Sequence, residues 1–113
     1  MKTAFIINSD VLGTGPEELG KKLMGSFLRK VCAQEDKPDT IIFYNTGVKL
    51  LAKGVSDVLD ALGILQDAGV DLLGCGTCAD YFSIKDKITA GRIGSMDDIV
   101  AVISKADKVV TVT

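Results

Sequence analysis

The sequence predicts an α/β fold in which helices cover both faces of a mostly parallel, five-stranded sheet. Short apolar runs rich in β-branched residues alternate along the chain with segments whose apolar residues recur at helical spacing. The runs are continuously apolar, as expected for parallel strands that are buried on both faces. With 113 residues, 47% of them hydrophobic, the chain can bury the core of one domain, and no linker or repeat divides residues 1–113.

The first strand and the first helix are predicted in the amino-terminal third. Ala4–Ile7 is an apolar run that stops at a polar stretch. A helix is predicted over Pro16–Cys32, because proline suits the first helical position and the carboxylates of Glu17 and Glu18 complement the positive end of the helix dipole. Cys32 closes the apolar face of this helix and is expected in the core. The other apolar residues at helical spacing are Leu19, Leu23, Phe27 and Val31.

The middle of the chain is predicted to alternate between strand and helix. Thr40–Tyr44 is a second β-rich run, and a short helix is expected to carry the apolar residues of Val48–Leu51. Ser56 is a suitable N-cap for the next helix, and Gly69 suits the left-handed position at its end. A third strand is predicted over Val70–Gly74.

The remaining elements are predicted from capping residues and short apolar runs. Thr77 is expected to cap a short helix, and Ile88–Ala90 is a candidate for the fourth strand. Ser95 followed by Asp98 matches the pattern of a capping box before the last helix. Lys108–Val112 is predicted as the fifth strand.

The charge balance and the apolar pattern exclude several classes of protein. With 13 basic and 15 acidic residues the net charge is −2 and no basic stripe is present, so nucleic acid is not an expected partner. No apolar run is long enough for a signal-peptide core or a membrane span. An odd number of cysteines, two of them in a Cys-X-X-Cys motif, favours thiol chemistry in a reducing compartment, which predicts a cytoplasmic protein.

The Cys-X-X-Cys motif, Cys75 to Cys78, lies where the third strand ends and the next helix is expected to begin. Because the chain has no histidine, these thiols are its strongest potential nucleophiles. Cys75 would end a buried strand, where apolar surroundings disfavour a thiolate. Cys78 would occupy the first helical position after Thr77, where the helix amides favour one. The pattern therefore favours Cys78 as nucleophile and Cys75 as a resolving or supporting thiol; the alternative is that both are buried hydrophobes.

The candidate site lies at the carboxyl ends of the strands, where open α/β sheets bind ligands. Small polar residues dominate the predicted loops at this edge. Arg92 is of particular interest, because a guanidinium near Cys78 would stabilise a thiolate, a persulfide or a bound oxyanion. The candidate supporting residues are Asn8, Asp10, Asn45, Gly76, Thr77 and Arg92.

Metal and cofactor sites are not indicated. The two cysteines are half of a zinc knuckle, but no second pair and no histidine complete four ligands. Gly13, Gly15 and Gly20 do not have the dinucleotide-loop spacing, because Glu18 stands where the third glycine is needed. The lack of histidine also excludes Ser/His/Asp and Cys/His catalysis.

The segment Leu73–Phe82, together with Arg92–Gly94 and Met96, resembles the DsrE/DsrF-like proteins. The greatest similarity is to the carboxyl-terminal domain of the YedF type, which is associated with selenium metabolism and is called sulfurtransferase-like. The resemblance extends over essentially the whole chain, and further matching residues are Ser9, Asp10, Gly13, Gly15, Tyr44, Asn45 and Gly47.

The resemblance implies a three-layer α/β/α sandwich, usually oligomeric, in which a cysteine at the end of a strand carries sulfur as a persulfide. Residue by residue, it places the carrier position within Cys75–Cys78. YedF proteins typically begin with a small TusA-like sulfur-carrier domain, which this chain lacks. The resemblance therefore implies a separate TusA-like partner as sulfur donor or acceptor.

Three functions stay open from the sequence. The first is a sulfurtransferase-like carrier, in which Cys78 holds sulfur or selenium and passes it to a partner protein. The second is a thiol-disulfide redox module, in which Cys75 and Cys78 form a reversible disulfide. The third is a non-catalytic interaction or regulatory protein of the same fold, whose thiols are merely buried.

Overall fold

A computed structural model describes residues 1–113 as a five-stranded sheet with helices on both faces. The strands are β1 (Thr3–Ile7), β2 (Thr40–Phe43), β3 (Asp71–Cys75), β4 (Arg92–Gly94) and β5 (Lys108–Val112). The α-helices are α1 (Glu17–Ala33), α2 (Leu59–Asp67), α3 (Gly76–Tyr81) and α4 (Met96–Lys105). Two 3₁₀ segments, Asn45–Leu51 and Lys85–Lys87, complete the regular structure.

All the strands run parallel, in the spatial order β4-β3-β2-β1-β5. Ile7 at the end of β1 lies opposite Phe43 in β2 and Val112 in β5, so these strands finish together at one edge of the sheet. Cys75 lies opposite Gly94 at the same edge. The predicted α/β fold is therefore confirmed, with a sheet that is parallel throughout. None of the helices combines the length and the apolar composition needed to cross a membrane.

The two faces of the sheet are covered unequally. A large core of 20 buried residues joins one face to α1, α2 and the segment Asn45–Leu51; it includes Leu28, Ile41, Phe43 and Leu62. On the other face, the small core contains Ile6, Ile42, Leu73, Cys75 and Ile99, and Ile99 is its only residue from a helix. Helix α4 is therefore the cover of the second face.

Helix α1 has nearly the predicted length but buries a different stripe. Pro16 is its N-cap residue rather than its first helical residue, and Leu19 and Leu23 are 51% and 43% exposed. Gly20 lies against the preceding loop, where an added Cβ would approach the Cβ of Val11 to 2.8 Å. This close approach turns the neighbouring face of the helix inward. The buried residues are Gly20, Met24, Gly25, Leu28 and Val31, while Cys32 is half-buried at the margin of the large core.

Helix α2 begins at Leu59, three residues after the predicted N-cap. The hydroxyl of Ser56 accepts a hydrogen bond from the Val58 N–H at 3.2 Å and so closes a local turn instead of capping the helix. Val58 is only 2% exposed, because this turn directs it into the large core. Gly69 has φ of +94° just beyond the helix, which confirms its predicted role in ending it.

The fourth strand is Arg92–Gly94 and not the predicted Ile88–Ala90. Ile88 instead forms an isolated antiparallel bridge with Ala52, and the Thr89 N–H donates to the carbonyl of Leu51. Gly91, with φ of +73°, then turns the chain into β4. The apolar run therefore packs outside the sheet, because its backbone partners are Leu51, which ends the segment Asn45–Leu51, and the following residue Ala52.

The last helix and the last strand are as predicted. The hydroxyl of Ser95 accepts the Asp98 N–H at 3.3 Å, and the Asp98 carboxylate accepts the Ser95 N–H at 2.8 Å. These reciprocal bonds form the capping box that the sequence indicates, and they hold the pKa of Asp98 below its ordinary value. Lys108–Val112 is the predicted fifth strand.

Candidate functional site

The two thiols of the motif lie at the junction between β3 and α3. Strand β3 extends one residue further than predicted, so Cys75 is both its last residue and the N-cap of the helix. Helix α3 begins at once with Gly76, which places Cys78 in the third helical position rather than the first. Thr77 lies inside the helix and is exposed, so the prediction that it caps α3 is wrong.

Gly76 permits this abrupt change from strand to helix. A Cβ at this position would lie 3.2 Å from Ile93 Cγ2 and 3.3 Å from the carbonyl oxygen of Gly94, both in the neighbouring strand β4. A side chain at this position would require Ile93 or the end of β4 to shift by a few tenths of an ångström. The glycine therefore keeps the two thiols against the edge of the sheet.

Cys75 and Cys78 occupy different surroundings. The side chain of Cys75 belongs to the small core and is only 1% exposed. Cys78 is half-buried and packs against both the large and the small core, because it lies at the end of the sheet between the two layers. The Cys75 side chain lies close enough to Cys78 to raise the pKa of that thiol. The sequence-based inference that the two sulfur atoms are unequal is consistent with these environments.

Asn45, a predicted supporting residue, contacts Cys78 directly through its backbone. Its N–H donates a hydrogen bond to Cys78 Sγ at 3.1 Å. The residue adopts a left-handed conformation, with φ of +52°, and its side-chain Oδ1 accepts the Thr46 N–H at 2.8 Å. Asparagine is one of the few residues that tolerate this conformation, because its short side chain can bond locally. The loop after β2 thus presents a fixed amide donor to the sulfur.

Gly47 explains how this loop lies so close to the sheet. A Cβ added to it would overlap the carbonyl oxygen of Ile7, the last residue of β1. Its backbone N–H donates to the carbonyl of Tyr44 and tightens the turn. Only glycine can occupy this position, so the placement of the Asn45 amide depends on it.

The protonation of Cys78 differs from the expectation. Burial raises the pKa of the Cys78 thiol, and the side-chain interaction with Cys75 raises it further. The Asn45 N–H lowers the pKa in part, and charge interaction with Cys75 raises it again, so the pKa lies above the ordinary value. The expectation that the helix terminus favours a thiolate is therefore wrong for the resting protein. At neutral pH Cys78 is a protonated thiol.

An open pocket of about 390 Å³ gives access to Cys78. Tyr81 projects from it, with 82% of its surface exposed, and its ring meets the Phe82 ring edge-on at a centroid distance of 5.2 Å. The lining residues are Asn45, Thr77, Cys78, Tyr81 and Phe82. One wall is therefore an aromatic pair, and the opposite side carries the backbone of the loop after β2.

Lys49 is a neighbour of this pocket that the sequence reasoning missed. Its Nζ lies 4.4 Å from the centroid of the Phe82 ring, a cation-π contact, and no carboxylate lies within ion-pair distance of it. The lysine interrupts an otherwise apolar stretch, Val48–Leu51, directly after the Asn45 loop. A single charged residue in a buried segment is the signal that could have identified it.

Arg92 does not join the site. It is the first residue of β4, opposite Leu73, and its guanidinium makes two hydrogen bonds of 2.9 Å to the carboxylate of Asp71 at the start of β3. These bonds raise the pKa of Arg92 and direct its charge toward the amino end of the strands. The expected support of Cys78 by Arg92 is therefore wrong. Arg92 is the first residue of β4, and its side chain pairs with Asp71 at the amino end of β3, whereas Cys78 lies beyond the carboxyl end.

The remaining predicted residues surround the site without reaching the sulfur. The Asp10 N–H donates to Thr46 Oγ1 at 3.2 Å and ties the loop after β1 to the loop after β2. The Asp10 side chain lines a second, polar pocket that Lys49 also borders. Asn8 is half-buried immediately after β1. No three Cys, Asp or Glu side chains cluster as metal ligands would.

The arrangement supports chemistry on one sulfur atom. Cys78 lines the open pocket, its sulfur accepts a hydrogen bond from a fixed amide donor, and a second thiol lies nearby. Such a sulfur can attack a sulfane sulfur or a disulfide once it loses its proton. A negative charge on it, or on a sulfur attached to it, would be stabilised by the Asn45 amide.

Comparison with known proteins agrees on the fold. The model of the DsrE/DsrF-like family matches residues 1–112. The solved structure of the YchN protein from E. coli is 22% identical and superimposes with a TM-score of 0.74, covering 97% of both chains. A protein of unknown function from Methanobacterium thermoautotrophicum is 19% identical, with a TM-score of 0.70 and 97% coverage of both chains. A search of the curated proteins finds no match.

Proposed function

The chain belongs to the DsrE/DsrF-like family, and on that premise we propose that it is a sulfurtransferase-like carrier that holds sulfur on Cys78 as a persulfide. The observation that carries the proposal is the position of Cys78 Sγ, which lines an open pocket while accepting the Asn45 amide at 3.1 Å. Cys75 is buried in the small core, and Cys32 packs at the margin of the large core. The pocket makes Cys78 the thiol that a donor can reach.

Loading is a thiol exchange on a sulfane sulfur. The Cys78 thiolate attacks the outer sulfur of a donor persulfide, R–S–S⁻, and expels the donor thiolate, R–S⁻. The bond between the two donor sulfurs breaks, and the new bond joins Cys78 Sγ to the transferred sulfur. An acceptor thiolate then attacks that outer sulfur and releases Cys78. No net oxidation occurs, because the sulfane sulfur only changes its carrier.

The raised pKa of Cys78 has a consequence for this cycle. Burial keeps the resting sulfur protonated, which makes it a poor nucleophile and a poor target for oxidants. Docking of a donor that brings a base or positive charge would favour the thiolate. The free ammonium of Lys49, held on Phe82 at the border of the pocket, offers a contact for an anionic donor or acceptor group.

The pocket suits a protein partner. Tyr81 is 82% exposed beside Phe82 and offers an aromatic surface next to the thiol. We infer that a small, TusA-like sulfur-carrier protein docks here as donor or acceptor. We assign the protein, by its resemblance to the YedF type, to sulfur or selenium transfer in the cytoplasm, and we infer that it acts as a homo-oligomer.

Intact mass measurement tests the carrier function. After incubation with a persulfide donor and removal of the excess, the protein is expected to gain the mass of one sulfur atom, and a TusA-like acceptor should remove it. The variant Cys78→Ser should gain nothing. The matched control Cys32→Ser should load normally, because Cys32 lies in α1 and its Sγ donates to the Ala61 carbonyl at 3.3 Å. Loading that persists in Cys78→Ser would contradict the proposal.

The contact between the two thiols favours a second candidate, a thiol-disulfide redox function. Cys75 and Cys78 would form a reversible disulfide instead of carrying sulfur. Titration against glutathione tests it: a two-electron couple between about −220 and −320 mV would support this function. A pair that stays reduced across that range would exclude it.

A further inference from the structure

We propose that Cys75 is a resolving thiol that displaces sulfide from the Cys78 persulfide, so that the carrier can release its sulfur as hydrogen sulfide as well as pass it on. This inference rests on the proposed carrier function. It assigns a reaction to the buried member of the motif, which cannot itself meet a donor because it is only 1% exposed.

The helix geometry brings the two sulfurs together. Cys75 is the N-cap of α3 and Cys78 is its third residue, so the first turn of the helix carries both thiols, and the Cys75 thiol makes no capping hydrogen bond. Cys78 packs against the small core to which Cys75 belongs, and both residues lie at the turn from β3 into α3. A disulfide between them would therefore need little backbone movement.

The two sides of Cys78 Sγ are chemically different. The pocket lies on one side and can hold the outer sulfur of a persulfide. Cys75 approaches from the buried side, where it meets the inner sulfur, Cys78 Sγ. Attack at the inner sulfur expels the outer one, and the pocket gives the leaving group a path to solvent. The Asn45 amide, which bonds Cys78 Sγ, supports the negative charge that develops during this exchange.

The step balances as a two-electron exchange. Cys78–S–SH and Cys75–SH give a Cys75–Cys78 disulfide and H₂S. The Cys75–Cys78 S–S bond forms as the persulfide S–S bond breaks, and the thiol proton of Cys75 leaves with the sulfide. The sulfane sulfur is reduced and the two cysteines are oxidised. Two equivalents of a small thiol, or one dithiol protein, then attack the disulfide at Cys78 from the pocket and restore both thiols.

The test follows the fate of loaded sulfur without an acceptor. Wild-type protein and Cys75→Ala are treated with a persulfide donor, freed of excess, and followed by intact mass and by trapping of released sulfide. Wild type should lose the added sulfur, release one equivalent of sulfide and become lighter than the reduced protein by two hydrogens. Cys75→Ala should keep its persulfide at least about tenfold longer, because its attacking thiol is gone.

Two controls separate this inference from its premise. Cys32→Ala should behave as wild type, since Cys32 lies near the end of α1 and its Sγ donates to the Ala61 carbonyl. Cys75→Ser repeats the experiment with a different volume in the small core, and circular dichroism confirms that both Cys75 variants are folded. If neither wild type nor the Cys75 variants gain sulfur and no sulfide appears, the carrier function itself fails. If all of them load and lose sulfur at the same rate, or wild type forms no disulfide, only the role of Cys75 is overturned.

Discussion

The two faces of the sheet differ in how they are held, and the reactive sulfurs lie where they meet. On one face, 20 buried residues from several elements form the large core. On the other, five buried residues form the small core; α4 supplies one of them, Ile99, and packs the partly buried Val102 and Ile103 against it. Cys78 packs against both cores, whereas Cys75 belongs to the small one.

This difference shows how one fold can hold the Asn45 amide rigidly on one face and allow the bonding of Cys75 to change on the other. The large core fixes the strand ends and the loop that carries Asn45, so the amide donor is held in place. The small core has few contacts to lose when the sulfur of Cys75 changes its bonding. The face with less buried apolar surface is therefore the one on which thiol chemistry disturbs the fold least.

Two neighbouring isoleucines test this comparison most strongly. Ile41 and Ile42 are both fully buried in β2, but they point into the large and the small core respectively. Ile41→Ala should lower the free energy of unfolding by about 4 kcal/mol and Ile42→Ala by about 2 kcal/mol, because the thinner layer relaxes around the cavity more easily. Urea denaturation measures both values. Equal losses would remove the distinction between the two faces.

The next largest effect is expected in the loop that the large core positions. Asn45→Val should cost about 1–2 kcal/mol, because a β-branched residue is strained at φ of +52°. Relaxation of the strain would withdraw the amide from Cys78, raise the pKa of that thiol further and slow persulfide loading. Asn45→Gly is the matched control, since glycine adopts this conformation freely. If Asn45→Val loads sulfur as fast as Asn45→Gly, the amide does not support the sulfur.

A smaller effect is expected on the reactivity of Cys78, and it separates the contribution of burial to the pKa of this thiol from that of Cys75. The alkylation rate of Cys78 should rise with pH around a midpoint above the ordinary thiol value, because burial and Cys75 raise its pKa. Cys75→Ala should move the midpoint down and speed alkylation at neutral pH a few-fold, since the side-chain and charge interactions with Cys75 are lost while burial remains. Mass spectrometry of the labelled peptide measures both. An unchanged midpoint would show that Cys75 does not influence the site.

The raised pKa of Cys78 also predicts how the free energy of unfolding changes with pH. Because the pKa of Cys78 is higher in the folded than in the unfolded chain, the protonated thiol is the form that folding favours. Its contribution to stability is complete below the ordinary thiol pKa and is lost as the pH rises through the raised value. Unfolding experiments on wild type and Cys78→Ser across the alkaline range should show this difference.

The smallest effect is expected at the edge strand, away from both thiols. Arg92→Ala removes a two-point ion pair with Asp71 whose side chains are 52% and 38% exposed, and it should cost less than about 1 kcal/mol. Cys78 alkylation should be unchanged, because the guanidinium points toward the amino end of β3. Arg29→Ala, which removes a 3.8 Å contact with Asp60, is the matched control and should have even less effect. If Arg92→Ala changed the alkylation rate of Cys78 and Arg29→Ala did not, Arg92 would be shown to influence the site.

The elements that the sequence predicted well are those with a strong local signal. The capping box of Ser95 and Asp98 depends on two residues three apart, and Gly69 needs only its own freedom to adopt positive φ. The strands buried on both faces stand out as apolar runs. β4 does not, because an edge strand of three residues that begins with Arg92 has little apolar pattern, and the run at Ile88–Ala90 has its partners outside the sheet.

The parts of the site that could be predicted are likewise those with a local sequence signal. The motif itself, and the turn residue Asn45, follow from local sequence. The direction of Arg92 depends on where an edge strand starts, and the proximity of Lys49 to Phe82 depends on how the segment after β2 packs against α3. The pKa of Cys78 reflects burial between two layers, which a position relative to a helix end does not reveal.

The order of the elements along the chain determines when each part of the site is made on the ribosome. Every residue that lines the pocket, from Asn45 to Phe82, is made before α4 emerges. Ile99 is the only residue of the small core that follows Cys75 in the chain, so Cys75 stays uncovered until that helix forms. The thiol that is most protected in the finished protein is thus the part of the site that is enclosed last. Whether Cys75 is a free thiol or part of a disulfide when α4 packs therefore determines which form of the motif the folded protein contains.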